Sequence, residues 1–263
     1  MKPDYKNWMP KGMIAGIAAG TIVVAVFFLL FVFGVFSIPG TARVLLSVIF
    51  GIGLAVLVFF LIWVIALYRA FDYDGSRQMS RQIIEGTADY VKLPEGGKGL
   101  DVGCGSGALT IACAKRNPGA TMLGVDRWGK EYAAFSKTLC EDNAKAEGAS
   151  NVSFQSGNAI KLDFPDETFD AVTSNYVYHN ISGQDKQMLL LETLRVLKKG
   201  GTFAIHDLMS EARYGDMDGF VKRLKEMGYE EVELIDTTHG MFMSLKEAKW
   251  MGLSGSTLLV GKK

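Results

Sequence analysis

The stretch Leu100-Asp101-Val102-Gly103-Cys104-Gly105-Ser106-Gly107 decides the fold. The residues running into it read as a short buried strand, and Ala108–Lys115 after it reads as a helix. Glycines at alternate positions make the turn between them. Without Cβ atoms the backbone takes positive φ, and a bulky polar ligand can approach the main chain closely. The stretch therefore opens a βαβ unit with a nucleotide-type cradle at its first turn. Its spacing is Gly-x-Gly-x-Gly. It lacks the extra residue of the dinucleotide-binding Gly-x-Gly-x-x-Gly, and no Lys-Ser/Thr pair closes it as in a phosphate-binding P-loop.

Downstream, strand and helix alternate. Strands read at Gly99–Val102, Thr121–Val125, Val152–Gln155, Phe169–Thr173 and Thr202–His206. Helices read at Lys130–Ala146, Asp185–Leu197 and Asp216–Met227, with Pro118-Gly119, Glu147-Gly148 and Lys199-Gly200-Gly201 as turns. Short apolar strands alternating with helices predict a doubly wound parallel sheet. Glu231–Ile235 and Ser256–Gly261 read as two further strands.

Upstream the composition changes. Gly12–Phe36 and Val44–Leu67 are apolar runs without an acidic or basic side chain, each long enough at helical rise to cross a bilayer core. Ser37–Arg43 reads as the turn between them. The length of the first run and the immediate second run argue against a cleaved signal peptide. The expected organisation is a membrane anchor over residues 1–71, with spans at about 12–36 and 44–67, and a soluble domain over 72–263. Lys2, Lys6 and Lys11 precede the first span, Arg69, Arg77 and Arg81 follow the second, and the turn holds only Arg43. That asymmetry predicts cytoplasmic flanks at both ends of the hairpin and a cytoplasmic soluble domain. Gly16 with Gly20, and Gly51 with Gly53, either let the helices approach closely or merely reflect membrane composition. Met79–Val91 reads as an amphipathic helix that starts the soluble part.

The formal net charge is zero, which gives no overall basic field for nucleic acid. Cys104, Cys113 and Cys140 form no metal-binding or disulfide pattern. Two spans almost free of internal polar groups make no transport pathway by themselves.

Candidate site residues collect at the carboxyl ends of the strands, where open α/β sheets bind their ligands. Asp126 follows the second strand about 20 residues beyond the glycine loop, a position for accepting both hydroxyls of a ribose. Otherwise it is a surface turn. Arg127 and Trp128 come next; Trp128 either packs on a base or caps the following helix. Asn158 and Ala159 follow the third strand, and Ser174-Asn175-Tyr176-Val177-Tyr178-His179-Asn180 follows the fourth. His206 and Asp207 end the fifth and are secondary candidates on the same rim. His239 reads as surface loop, and Met241, Met243 and Met251 as packing.

The glycine loop resembles motif I of the class I S-adenosylmethionine-dependent methyltransferases. The run Leu162-Asp163-Phe164-Pro165-Asp166-Glu167-Thr168-Phe169-Asp170 and the run Leu194-Arg195-Val196-Leu197-Lys198-Lys199-Gly200-Gly201 resemble two further motifs of that family's UbiE-like small-molecule branch, with Lys199 where proline is usual. The resemblance covers Met79–Lys263. It implies a Rossmann-like seven-stranded α/β sheet, mostly parallel with an antiparallel last strand, preceded here by two transmembrane α-helices. It implies S-adenosyl-L-methionine as methyl donor. The donor would be held by Asp101, Gly103, Cys104, Gly105, Gly107, Asp126, Arg127, Trp128, Asn158, Ala159 and Ser174, with Tyr73 in a region that often lids the donor. Asp101 would reach the methionine amino group or bond nearby amides. Asn158 stands where an acidic residue is frequent and would accept from the adenine amino group through its carbonyl oxygen. Tyr176 and Tyr178 would shape the acceptor pocket. His179, a residue type that exchanges protons near neutral pH, would act as base or orient the substrate, unless it only packs. The expected function is methyl transfer to a small or lipophilic acceptor presented at the bilayer, such as a quinone, a lipid amine or a thiol, with no nucleic-acid partner. The competing expectation is a membrane-bound sensor or scaffold that binds the donor without turnover.

Overall fold

The computed structural model describes residues 2–129 and 134–263. The chain divides into two compact units. Asn7–Ser80 forms one, and the residues up to Lys6 together with Arg81–Lys263 form the other. The division falls near Ser80, against an expected boundary at 71/72, and the second of these units is discontinuous in sequence.

The first unit is a pair of helices, α1 (Lys11–Val32) and α2 (Gly40–Phe71). Both are long and apolar enough to cross a membrane, with mean hydropathies of 2.7 and 3.0 over their most apolar windows. At about 1.5 Å per residue they span about 33 and 48 Å, against a hydrocarbon core of about 30 Å. The turn between them lies earlier than the expected Ser37–Arg43. Gly34 leaves α1 with φ +68°, and Pro39 sits just ahead of α2, whose first turn closes with Arg43 N–H on Pro39 O at 3.0 Å. Proline suits that position because its missing N–H would have no helical partner. Phe50 stacks between Phe27 and Phe31, with ring centroids at 5.6 and 5.2 Å. Gly51 admits the Phe28 ring, and a Cβ there would come within 3.1 Å of it. Gly16 and Gly20 have open space in front of them, so that pair does not mediate the contact between the two helices. At the other end Asn7 donates to Tyr68 O at 2.7 Å and Trp8 lies on Phe71.

Helix α3 (Met79–Ala88), shorter than the expected Met79–Val91, straddles the division, and all but its first two residues belong to the second unit. Among the described residues its sheet has seven strands: β1 (Lys98–Val102), β2 (Thr121–Asp126), β3 (Val152–Ser156), β4 (Phe169–Asn175), β5 (Leu197–Leu208), β6 (Glu230–Asp236) and β7 (Ser256–Lys262). The order is β3-β2-β1-β4-β5-β7-β6, with β7 antiparallel to both its neighbours and the other pairs parallel. The expected sheet is thus present, and the order reverses beside β1, which opens a crevice at the carboxyl ends of β1 and β4.

The connecting helices are α4 (Ala108–Arg116), α5 (Lys137–Glu147), α6 (Lys186–Arg195), the single turn α7 (Glu211–Tyr214), α8 (Met217–Glu226) and α9 (Leu245–Met251). Asp185 and Asp216 lie outside α6 and α8 as their caps: the Asp185 carboxylate accepts from the N–H groups of Gln187 and Met188 and that of Asp216 from Gly219 N–H, donors that the first turn leaves unpaired. The expected helix Lys130–Ala146 lies partly outside the described residues; its described part starts only at Lys137, where Ser136 accepts from Leu139 N–H. Lys199-Gly200-Gly201, expected as a turn, lies inside β5 as an irregularity with Gly200 at φ +79°. The core packs Leu100, Val102, Val172, Leu190, Leu194, Phe203, Ile205 and Leu259 between sheet and helices.

Candidate active site

The glycine loop joins β1 to α4 with Gly103, Gly105 and Gly107 at φ +77°, +55° and +81°. Gly103 N–H and Cys104 N–H both donate to Val125 O of the neighbouring strand, at 2.8 and 3.1 Å. Asp126 ends β2 and reaches back to the loop: its Oδ2 accepts from Gly105 N–H at 2.9 Å, and its Oδ1 accepts from Trp128 N–H at 2.8 Å. Trp128, at φ +44°, donates its indole N–H to Gly105 O at 3.0 Å. It therefore braces the loop and caps no described helix. Arg127 is exposed beside it.

Asp101 is buried beneath the loop and accepts from the Thr110 hydroxyl at 2.6 Å, where backbone amides were the alternative expectation. Burial, reinforced by the charge of Asp126 and opposed by the Thr110 hydrogen bond, pushes its carboxyl up to about 7. Asn158 is exposed after β3 and turns its Oδ1 onto Ile160 N–H at 3.0 Å, so one lone pair is already engaged locally. Ala159 packs at the edge of the core. Cys104 is buried in the loop.

Two expected site residues are fully buried and engaged within the protein. Ser174 is fully buried and donates to Val102 O at 2.7 Å, tying β4 to β1, which spends its one hydroxyl hydrogen. Tyr178 is fully buried in the core, its hydroxyl 2.6 Å from Thr193 Oγ1. Tyr73 belongs to the unit that holds the helices.

The segment after β4 brings the other candidates together. Tyr176 has φ +54°, an uncommon conformation for a bulky residue and one that collects at functional sites. Its hydroxyl bonds Ser256 Oγ, and its ring meets His206 at 4.7 Å and His179 edge-on at 5.9 Å. Burial pushes its phenol up, against the Ser256 hydrogen bond, so it remains protonated. His179 sits on a single 3-10 turn over residues 178–180, with its Nδ1 2.5 Å from Asp207 Oδ1. Asp207 ends β5, is fully buried, and also accepts from the backbone N–H groups of Tyr178, His179 and Leu208. Burial alone would raise its carboxyl; the His179 hydrogen bond and charge outweigh it and hold Asp207 below the usual range. A carboxylate on Nδ1 fixes the tautomer with the proton there, leaving Nε2 as acceptor. His179 keeps partial exposure and can meet a substrate.

His206 has a different part. It is fully buried, with Nδ1 2.9 Å from Asn175 Oδ1 and Nε2 3.0 Å from Thr237 Oγ1. Burial drives its pKa down to about 3 despite the nearby Asp207 charge. The folded state holds this imidazole neutral, while an unfolded histidine binds a proton below about 6.5. His206 therefore costs stability as pH falls from about 6.5 towards 3, at about 1.4 kcal/mol per pH unit. Asp101 has the opposite sign: the folded state keeps its proton up to about 7, so its contribution declines as pH rises from its ordinary 3.8 to that value. We expect His206→Gln to flatten the loss of melting temperature between pH 6.5 and 4. An unchanged slope in pH-dependent melts would show that another group governs acid unfolding.

Sequence reasoning named His179 and Asp207 separately; the pairing across 28 positions comes from the adjacent ends of β4 and β5. It passed over Asn143. That side chain on α5 donates to Ser106 O in the glycine loop at 3.0 Å and is nearly fully buried. A lone Asn in a helix has no signal that would have singled it out.

Residues 100–205 match the family model of a methyltransferase domain. With this sheet order and glycine loop, the chain carries a class I methyltransferase domain, the class that takes its methyl group from S-adenosylmethionine. Within that class it is similar to the demethylmenaquinone methyltransferase of Bacillus licheniformis, 32% identical over 170 residues that cover 63% of this chain and 65% of that protein. It is likewise similar to an uncharacterized methyltransferase of Schizosaccharomyces pombe, 37% identical over 128 residues covering 48% and 45% of the two chains. The chain thus spans between 45% and 65% of the length of these relatives. The solved [4+2]-cyclase SpnF shares the fold, with a TM-score of 0.55 at 21% identity over 73% of this chain and 84% of its own.

The donor fits the residues present. Gly105 has positive φ, and no described residue lies within 4 Å of where a Cβ would stand, which leaves room in the cradle among the described residues. Asp126 lies at its edge and Asp101 beneath it.

Proposed function

We propose that the protein is a membrane-anchored methyltransferase acting on a lipophilic acceptor that has a proton to lose, a reduced quinone ring in particular. The observation that carries this reading is the His179–Asp207 dyad, held in the segment that packs on the glycine loop. Gly103 lies directly against Val177, two residues before His179.

Bound S-adenosylmethionine supplies an electrophilic methyl group on a sulfonium. The chain's own task is to align a nucleophile and to manage one proton. His179 Nε2 would accept the proton of the acceptor hydroxyl as the acceptor's oxygen or ring carbon takes the methyl group, and the methyl–sulfur bond would be the one that breaks, its electron pair staying on sulfur. The buried Asp207 carboxylate stabilises the resulting imidazolium. Tyr176 walls the same space and keeps its own proton. Asp126 would hold the donor's ribose, Asp101 its ammonium group, and Asn158 with Ala159 its adenine end.

A base beside the donor favours acceptors whose nucleophile is protonated at neutral pH. A phenolic ring meets that description and is apolar. The names of the demethylmenaquinone methyltransferases among the relatives favour the same choice. Two helices long and apolar enough to span a bilayer favour an acceptor dissolved there. The hydrogen bonds of Asp4, ahead of α1, with Asn143, after α2, favour an even number of crossings between them. That agrees with the basic residues on both flanks.

The test uses the full chain in phospholipid nanodiscs with radiolabelled donor, offering an apolar quinol, a lipid amine and an apolar thiol. We expect transfer to the quinol at least about tenfold faster than to the others, abolished by Asp126→Ala. Donor binding without transfer to any acceptor would overturn the reading in favour of a donor-binding sensor.

A further inference from the structure

Asn143 does more than hold the glycine loop. Its Oδ1 accepts from Asp4 N–H at 2.7 Å, and its Nδ2 donates to Asp4 O at 3.0 Å as well as to Ser106 O at 3.0 Å. One buried amide thus clasps the main chain of residue 4 on both sides, across 139 positions of sequence, and spends its other hydrogen on the loop. Tyr5, next in the chain, is only 6% exposed. One turn earlier on α5, Cys140 donates to Gly105 O at 3.2 Å. The face of α5 bearing Cys140 and Asn143 therefore takes two consecutive carbonyls of the loop, and residue 4 completes the hydrogen bonding of one of these two side chains.

We propose that Lys2–Lys6 is a strap belonging to the donor site: docked on Asn143, it sets the glycine loop for S-adenosylmethionine. This rests on the placement of the donor at that loop. Without the strap, the Asn143 carbonyl and one amide hydrogen lose their partners in a buried position, and the side chain must turn away from Ser106 O to regain them. Strap docking and donor binding are then coupled, and coupling is reciprocal: each strengthens the other by the same factor. Only four residues lie between Lys6 and Lys11, where α1 starts.

The experiment measures S-adenosylhomocysteine affinity by calorimetry on the full chain in nanodiscs. Asp4→Pro removes the N–H that Asn143 takes, and Asn143→Ala removes the clasp. We expect each to weaken binding about tenfold, within the usual range of coupling between sites, and the double variant to be no worse than about the single ones. The acceptor KM should stay within about twofold. In the unaltered protein, S-adenosylhomocysteine should slow amide hydrogen exchange at residues 4–6 by a similar factor, a readout independent of whether any variant folds. Exchange there that ignores the ligand, or full affinity in folded Asp4→Pro, would overturn the strap. Failure of the underlying placement looks different: Asp126→Ala would then bind as tightly as the unaltered chain.

Discussion

His179→Gln is expected to lower kcat by about 10²–10⁴-fold while leaving donor affinity unchanged, the range general-base removal produces. Glutamine keeps a polar group of similar reach but cannot take a proton. Among the described residues, neither ring grouped with His179 can replace it as a base: Tyr176 is held protonated, and His206 is buried with both ring nitrogens engaged. Asp207 is a positioning residue, and its removal should read differently. Asp207→Asn keeps the shape but removes the charge that stabilises the imidazolium, and its amide can turn a donor towards Nδ1. It should lower kcat by a smaller factor and distort the pH–rate profile rather than erase its acidic limb. An acceptor already ionised at assay pH should be methylated by His179→Gln at nearly the normal rate. If such an acceptor suffers the same loss as a protonated one, His179 is not acting as a base, and orientation or packing accounts for its place.

Most of the sheet was legible because its signals are local. Apolar runs of strand length bounded by glycine or proline need no distant information, and the loop at Gly103–Gly107 declares its conformation through residues that tolerate positive φ. Asp126 was legible for the same reason, lying at a strand's carboxyl end a set distance beyond that loop. What stayed hidden depends on which side chains meet across the fold. Tyr176 and Tyr178 look equivalent in the sequence. The left-handed turn at Tyr176 sends one to Ser256 on β7 and the other into the core against Thr193. Ser174 has the chemistry of a ligand contact but spends it on Val102 O. Gly16 and Gly20 have the spacing of a helix-packing pair, yet face open space, because the contact runs instead through Gly51 and the phenylalanines. Asn143 and Asp4 are joined only by the folded chain.

Gly103→Ala should be the most damaging single-methyl change in the catalytic unit, and its cause can be separated into two parts. The first is conformational: at φ +77° an alanine costs about 1–2 kcal/mol, worth about 5–30-fold in any equilibrium that needs the native loop. The second is steric. A Cβ at Gly103 would overlap the Val177 side chain, and Val177 lies in the segment that carries Tyr176 and His179. The strand cannot retreat readily, since Gly103 N–H is fixed on Val125 O. The methyl group should therefore displace the acceptor side as well as the donor side, weakening donor binding by at least about 100-fold and lowering kcat together. Gly103→Ala/Val177→Ala should recover the steric part and retain the conformational one. Gly105→Ala supplies the contrast. Its φ is +55°, but a Cβ there meets no described residue within 4 Å, so stability should fall only by the backbone cost while the methyl group enters the cradle itself. Donor affinity measured by calorimetry, beside melting temperature, checks both. If Val177→Ala brings no recovery at Gly103, the donor loop and the His179 segment are not mechanically linked, and the dyad's position must be set from β5 through Asp207 alone.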